Sequence, residues 1–400
     1  MSPQSSPASP ATVPATRRPG PETEDDAADA TNDGAALDSA APDGAASPAA
    51  TASAASAPRP VEGAPRSRAR ATRPDGRRGR RRRLVLLVGL AVLAVAASVG
   101  VLTWDNPMEV GSEGFWLIAQ MRVETLVSVA VVAVAQGAAT VAFQTATHNR
   151  ILTPSIMGFE SLYTAVQTGA VFLFGIAGAT MVVGLPQFML QAVLMVAFAS
   201  ALYGWLLSGR FSNLHLMLLV GVVIGGGLGS LSTFMQRLLT PSEFDVLTAR
   251  MFGSIANAES AYLPYALPAV LVVAAVLWLR GRRLDVVALG ADAATSLGLN
   301  HRREVMLILL MVSVLMAMST SLVGPMTFLG FLAATLTYQL FDTPSHRLLL
   351  PAAGLVAYTI LTVAYFLLRH VFYAQGAVTI IVELIGGGVF LIVLMRKGRL

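Results

Sequence analysis

Beyond residue 84 the chain alternates between long apolar runs and short polar connections. A run of about 20 predominantly apolar residues with few or no charges has the length of a helix that crosses the hydrocarbon core of a bilayer. Ten runs fit that description: 84–103, 123–144, 156–175, 186–207, 213–238, 261–280, 304–321, 325–341, 348–369 and 377–395. The pattern therefore predicts an all-α, polytopic membrane protein with about ten transmembrane helices.

The first 76 residues differ in composition, being rich in Ala, Pro and Ser and almost without large apolar side chains. Such a segment buries too little apolar surface to offset its ordering entropy, so we predict a disordered cytoplasmic tail at 1–76. An arginine-rich cluster at 77–83 abuts the first apolar run, which favours a role in membrane topology over nucleic-acid binding. A signal peptide is the alternative for that run, because a basic segment followed by an apolar one has the same layout.

Positive charge is unevenly divided between the connections. With the N-terminus in the cytoplasm, eleven Arg and Lys residues fall on the cytoplasmic side and four on the other. The eleven are Arg150, Arg210, Arg280, Arg282, Arg283, Arg302, Arg303, Arg347, Arg396, Lys397 and Arg399, and the four are Arg122, Arg237, Arg250 and Arg369. Cytoplasmic connections carry an excess of such residues, so we predict a multi-pass protein of the cell membrane with both termini cytoplasmic.

Composition excludes several function classes. Charged residues make up 13% of the chain, about half the share in soluble domains, and the mean hydropathy is +0.64. Cysteine is absent and the five histidines lack ligand spacing, so we predict neither a thiol nucleophile nor a protein-held metal. The one lysine, Lys397, follows no glycine-rich phosphate loop, so any ATP would be bound by another chain. We predict neither enzymatic activity nor a cofactor.

A polar interruption stands out between the second and third predicted helices, in FQTATHNRILTPSIMGFESLY at 143–163. His148, Asn149 and Arg150 form its basic part, and Thr153-Pro154 predicts the start of the next helix, because Pro suits a first helical turn. Small and polar residues then continue into the apolar run: Ser155, Gly158, Glu160 and Ser161. Polar residues in a span usually face a protein neighbour or a water-filled cavity.

This loop resembles that of permease subunits in ABC importers for ferric siderophores, a family that includes the vitamin B12 permease. The matching positions are Asn149, Arg150, Thr153, Pro154 and Gly158. Three further segments resemble the family: LGADAATSLGLNHRR at 289–303, SLVGPMTFLGFLAATLTYQLF at 321–341 and FYAQGAVTIIVELIGGGVFLIVLM at 372–395. The resemblance covers about 84–400, and residues 1–76 have no counterpart in the typical member.

The resemblance implies a ten-span permease domain at 84–400 that imports a ferric siderophore. Its implied partners are a second permease chain in a homo- or heterodimer, two ATP-binding subunits at the cytoplasmic face and an extracytoplasmic substrate-binding protein. The lipid bilayer is its environment and no nucleic acid is expected. Cobalamin or haem is the alternative substrate. An ion-coupled secondary transporter is a further alternative, although such proteins usually carry several charges within their spans.

The connection at 280–303 is the implied coupling element for the ATP-binding subunits. Its apolar spacing predicts one or two short amphipathic helices with turns at the glycines. The implied contact residues are Leu289, Gly290, Asp292, Ala293, Leu297 and Gly298. The family often has an acidic pair after the first glycine, whereas this chain has Ala291-Asp292. A surface loop that buries its apolar face at the membrane is the alternative.

Two apolar runs carry the residues predicted for the translocation pathway or a subunit interface. In the fifth run these are Gly221, Gly225, Gly226, Gly227 and Gly229, and in the tenth run Glu383, Gly386, Gly387 and Gly388. Small residues on one helix face allow close approach of another helix, so packing within the chain is the alternative for each glycine. A carboxylate within a span usually faces a cavity or a partner, and a hydrogen bond between helices is the alternative for Glu383.

Arginines on the outer side are candidates for docking the substrate-binding protein. The resemblance implies this role for Arg122, and Arg250 is a further candidate. The fork of a guanidinium fixes the orientation of a carboxylate partner as well as contributing affinity. For Arg237 and Arg369 the alternative is an interfacial anchor whose stem lies along the apolar surface.

Overall fold

The structure, a computed structural model, describes residues 77–104, 107–109, 111–181, 184–208, 214–251, 260–372 and 378–397. Regular structure in these residues is entirely helical. The helices are α1 (Arg77–Thr103), α2 (Glu113–Ala146), α3 (Phe159–Met181), α4 (Leu185–Ser208), α5 (Leu214–Arg237), α6 (Pro241–Met251), α7 (Leu263–Leu279), α8 (Gly281–Val287), α9 (Ala291–Ser296), α10 (His301–Val323), α11 (Leu329–Leu340), α12 (His346–His370) and α13 (Val378–Lys397). Two 3₁₀ turns cover Pro154–Met157 and Ser260–Tyr262. The predicted tail at 1–76 lies outside the described residues.

Each of the ten predicted runs overlaps one α-helix, so the all-α membrane class is confirmed. Within the described residues six helices, α1, α2, α4, α5, α10 and α12, are long and apolar enough to cross a membrane. The pair α7 and α8, bent by 60°, would make a seventh, and α11 and α13 are shorter apolar helices. The count of ten spans therefore stays a prediction.

The eighth run, predicted as a span over 325–341, is helical only from Leu329 to Leu340. The preceding helix α10 ends at Gly324, which has a φ of 86°. Pro325 follows and has no backbone N–H to continue a helical hydrogen-bond ladder. Residues 324–328 therefore form a non-helical link between α10 and α11.

Helix α2 is the central helix and packs against α7, α10, α11 and α12. Glycines permit its closest approaches, because a Cβ on Gly137 would lie 2.7 Å from the Ala353 carbonyl group and one on Gly330 would lie 2.1 Å from Thr140 Oγ1. In a bilayer the hydrophobic effect does not drive helices together, so their association depends on the close packing that small residues at helix crossings allow. The outer faces of α1, α5 and α13 instead expose large apolar side chains, as expected for contact with lipid or another chain.

One end of the helix assembly holds α8, α9, the connection 147–158 and the first turns of α10 and α12; we call this end the α8 face. Helix α1 packs along α12 in the same direction, since Ser98 contacts Tyr358 and Trp104 contacts Phe366. The arginines at the start of α1 therefore lie towards the α8 face. The end of α1 and the start of α2 lie at the opposite face.

Candidate functional site

The predicted coupling residues lie in the segment 280–298 at the α8 face. This segment contains the α7–α8 bend, α8 and α9, and we call it the elbow. Helices α7 and α8 meet at 60°, and positive φ angles at Gly290 (102°) and Gly298 (80°) bound α9. The inner side of the elbow is apolar and buried at Leu284, Val287 and Ala294. Leu289 and Leu297 point outward, each with 65% of its surface exposed. Asp292 is exposed beside them and Ala293 is partly buried.

Charged side chains fasten the elbow to α10. The carboxylate of Glu304, in the first turn of α10, accepts hydrogen bonds from Arg280 and Arg283; the Arg283 Nη1–Oε1 distance is 2.8 Å. Glu304 is only 8% exposed. One buried carboxylate thus holds the arginine at the α7–α8 bend and a second arginine within α8, and displacement of α8 would be transmitted to α10.

A second set of hydrogen bonds fastens the elbow to α12 and α2. Asp285 on α8 accepts a hydrogen bond from the backbone N–H of His346 at 2.7 Å, and His346 Nδ1 lies 2.7 Å from the same carboxylate oxygen. The other ring nitrogen of His346 lies 2.7 Å from Thr145 Oγ1 near the end of α2. Sequence reasoning did not identify Glu304, Asp285 or His346 as site residues, because their partners are distant in the chain.

The 143–163 motif connects the elbow with two other helices. His148 Nε2 lies 2.9 Å from the carbonyl oxygen of Val287 on α8, and the Arg150 guanidinium lies 4.7 Å from the ring centroid of Tyr338 on α11. Asn149 Oδ1 accepts a hydrogen bond from the Ile151 N–H and so shapes the turn. The loop therefore contacts both α8 and α11, which a simple connection between two spans would not require.

The second half of the motif forms a tight corner against α5. Thr153 precedes the 3₁₀ turn in an extended conformation, and Pro154 occupies the first position of that turn. The helix that was predicted to start here, α3, begins only at Phe159, after Gly158. Gly158 ends the turn with a φ of 93°, which favours glycine. A Cβ at Gly158 would lie 3.1 Å from the Cα of Gly225. Two glycine backbones therefore touch at this corner.

The glycines predicted for the pathway or an interface separate into two sets. A Cβ on Gly225 would lie 2.9 Å from the Cα of Gly158, and one on Gly386 would lie 2.5 Å from Phe328 Cβ. Gly221, Gly229 and Gly387 also face atoms of this chain, at 3.1, 3.9 and 3.8 Å. Gly226, Gly227 and Gly388 have no described atom within 4 Å of such a Cβ. The first set packs within the chain and the second borders open space.

Glu383 lies beside a cavity of about 340 Å³ at the junction of α5, α6 and α13, which Gln236, Phe244, Thr248, Met251, Pro325 and Thr379 also line. The backbone N–H of Thr327 faces its carboxyl group. The Thr327 hydroxyl group donates a 2.5 Å hydrogen bond to Glu160 at the start of α3. The non-helical link 324–328 therefore joins two carboxyl groups from different helices. Glu160 was recognisable as a polar residue in an apolar run, but its partner was not.

The docking candidates have unlike surroundings. Arg122 is 6% exposed, and its Nη1 donates to the carbonyl oxygens of Val101, Leu102 and Trp104 at 3.0, 3.2 and 2.8 Å. These are carbonyls at the end of α1 that helix geometry leaves without intrahelical donors. Docking through Arg122 stays a prediction that requires the side chain to leave them. Arg250 lies in α6, and its side chain is outside the described part.

Among the described residues, no group of three or more His, Asp or Glu side chains could hold a metal ion. The polar clusters at the α8 face instead consist of ion pairs and hydrogen bonds between helices. Ion pairs and hydrogen bonds of this kind would transmit a displacement of one helix to its neighbours.

Comparisons with known proteins match most of the chain. The FecCD transport family matches residues 83–396. The petrobactin import system permease protein FatC of Bacillus anthracis is 46% identical over 320 residues, which are 80% of this chain and 90% of that protein. The petrobactin import system permease protein YclO of Bacillus subtilis (strain 168) is 32% identical over 79% of this chain and 98% of that protein.

A solved structure of a metal-chelate type ABC transporter in an inward-facing conformation has the same fold, with a TM-score of 0.67 at 20% identity. The match covers 78% of this chain and 99% of that chain. The family match extends over the elbow, the 143–163 motif and the glycine-bearing helices alike. This multi-pass membrane protein belongs to the FecCD transport family, a family of transporters rather than enzymes.

Proposed function

We propose that this chain is the membrane-spanning permease subunit of an ABC importer that carries ferric siderophores into the cytoplasm. The observation that carries this proposal is the 46% identity, over 80% of the chain, to a permease of a petrobactin import system. A second relative, 32% identical, belongs to a system of the same name. Petrobactin is therefore the first substrate to test.

The elbow is the proposed contact with the ATP-binding subunits. Leu289 and Leu297 are large apolar side chains exposed on an element that is otherwise anchored by Glu304 and His346. An exposed apolar pair on a rigid support suits insertion into a groove of a partner. Closure of two ATP-binding subunits around ATP would push α8 and α9, and the ion pairs would pass that movement to α10 and α12 as a rigid-body shift.

This assignment places the α8 face in the cytoplasm. Arg280, Arg282, Arg283 and Arg347 lie there, together with the start of α1 and its arginine cluster. Such an excess of positive charge is typical of cytoplasmic ends. The N-terminus and the C-terminal tail would then both be cytoplasmic, and ATP would be hydrolysed by partner chains.

The open sides of α5 and α13 are the proposed walls of the pathway, which a second permease chain would complete. Gly226 and Gly227 give α5 a surface without side chains, and the neighbouring groove of about 560 Å³ is lined by Gly226, Gly229, Ser230, Thr233, Phe234 and Arg237. A smooth wall of this kind offers a bulky chelate few fixed contacts, so the substrate can enter and leave. Gly388 and Glu383 would contribute from α13.

At the opposite face, a substrate-binding protein would deliver the ferric siderophore. Arg250 on α6 is the proposed docking residue, and Arg122 would take part only after releasing the α1 carbonyls. An acidic surface on the binding protein would fit guanidinium groups by bidentate hydrogen bonding.

The test is uptake of radio-iron by iron-starved cells that lack the gene, supplied with ferric petrobactin, ferric enterobactin or ferric citrate, with labelled cobalamin in parallel. We expect the deletion to abolish uptake of one siderophore class and the gene to restore it. Normal iron uptake with lost cobalamin uptake would overturn the substrate. Unchanged uptake of every compound, in a strain shown to have no second importer, would overturn the proposal itself.

A further inference from the structure

An apolar groove of about 640 Å³ opens on the side of the helix assembly, away from the proposed pathway. Its floor is α2 and its walls are α7 and α12. The lining residues are Ala130, Val134, Ala138, Leu271, Ala274, Ala275, Trp278, Leu350, Pro351, Gly354, Leu355 and Tyr358. The groove exists because small side chains line up on all three helices. From Leu271 to Trp278 it runs about 10 Å along α7, at 1.5 Å per residue.

The end of the groove towards the α8 face has a fixed aromatic cap. Pro351 lies inside α12 and has no N–H, so the carbonyl group of Arg347, four residues earlier, lacks its helical donor. The Trp278 indole N–H donates to that carbonyl oxygen at 3.0 Å. The hydrogen bond holds the indole at this end of the groove. Tryptophan is enriched at this depth, where apolar and polar environments meet.

Positive charge lies beside this cap. The Arg347 guanidinium lies 5.6 Å from the Trp278 ring centroid, and the Arg347 side chain packs over Gly281. Arg282 is the next residue, and both arginines are exposed. In the described part of the chain neither has a carboxylate partner, whereas the neighbouring Arg280 and Arg283 are occupied by Glu304. Arg347 at the Trp278 ring, and Arg282 next to the Gly281 against which Arg347 packs, therefore place two cations near one end of an apolar groove.

We infer that this groove binds an anionic phospholipid from the adjoining leaflet, with an acyl chain between α7 and α12 and the phosphate at Arg347 and Arg282. Basic sites between transmembrane helices are typical of anionic lipid recognition. A helix from another chain fits less well, because a helix of about 10–12 Å diameter displaces roughly 800–1,100 Å³ over about 10 Å of length. The lipid would brace the α7–α8 bend against α12, next to the elbow.

The test measures phospholipid retained by the full chain in mild detergent, using native mass spectrometry. Phosphatidylglycerol and phosphatidylcholine with the same acyl chains are supplied separately in mixed micelles. We expect preferential retention of phosphatidylglycerol. Each arginine near the membrane surface contributes a factor of about five, so the double variant R282Q/R347Q should lower phosphatidylglycerol retention about thirtyfold. Inorganic phosphate in excess should not displace the lipid.

The matched control is R302Q/R303Q, which removes two exposed arginines from the same face, at the start of α10, a helix that contributes no residue to the groove lining. It should leave retention unchanged. Ala275→Phe, which fills the groove and leaves every charge in place, should remove the bound lipid as well. Equal retention of the two lipids, or equal losses in the two double variants, would overturn the inference. Displacement by inorganic phosphate, or a cross-link from Ala275→Cys to another protein of the assembly, would also overturn it.

Discussion

We expect replacement of Leu297 with Asp to abolish siderophore uptake and to separate the permease from its proposed ATP-binding subunits, while the protein still inserts in the membrane. The reason is the geometry of the elbow: Leu297 is 65% exposed, so the change removes an apolar contact with a partner without creating a cavity. Truncating a central anchor of an interface costs about 2 kcal/mol or more, or about thirtyfold in affinity. A carboxylate adds the cost of desolvating a charge.

The measurement is the amount of ATP-binding subunit that co-purifies with the tagged permease, normalised to permease in the membrane. Leu289→Asp should behave in the same way, since Leu289 is equally exposed on the same element. The control is Leu238→Asp, a residue 58% exposed in the turn after α5. If both elbow variants retained the ATP-binding subunits as the control does, the elbow would not be the coupling element.

Adjacent glycines on α5 should give opposite results when they are enlarged. Gly225→Val places side-chain atoms where the Gly158 backbone already lies, because even a Cβ would be 2.9 Å from the Gly158 Cα. Backbone atoms cannot yield as a flexible side chain would. Overpacking costs about 1–3 kcal/mol and more where backbones touch, so we expect low membrane abundance and a lowered unfolding temperature. Uptake is lost because the fold is lost.

Gly226→Phe should leave abundance and unfolding temperature unchanged, because no described atom lies within 4 Å of a Cβ at that position. If α5 lines the pathway, the ring narrows it and uptake falls to background in a normally folded protein. Gly204→Phe is the control, since Gly204 on α4 also has no described atom within 4 Å. Full uptake by Gly226→Phe would show that this side of α5 faces lipid or another surface instead.

The fold class was predictable because membrane spans are specified locally. Each apolar run is long enough to identify a helix without knowledge of its neighbours, and the arginines mark one side. At two helix boundaries that differ from the predicted runs, a local sequence signal explains the difference. Gly324-Pro325 shortened the eighth run to α11, and the Ser112 side chain accepts a hydrogen bond from the Phe115 N–H and starts α2 ten residues before the predicted span.

The site was predictable only where one short segment contains it. Leu289, Gly290, Leu297 and Gly298 come together because they belong to one elbow, so their grouping followed from the sequence. Glu304 with Arg283, and His346 with Asp285, join residues 21 and 61 positions apart, and no local pattern pairs them. The same limit applies to the glycines of α5. Gly225 and Gly226 are neighbours in sequence, and only packing against Gly158 distinguishes the buried one from the open one.

In the proposed function this permease imports a ferric siderophore by using ATP bound to partner chains. The most direct measurement is radio-iron accumulation in vesicles that contain the purified assembly, with siderophore-loaded binding protein on one side and ATP on the side of the α8 face. We expect accumulation only when both are present, and none with the Leu297→Asp permease. Accumulation without ATP, driven by an imposed proton or sodium gradient, would overturn ATP-driven import and identify a secondary transporter.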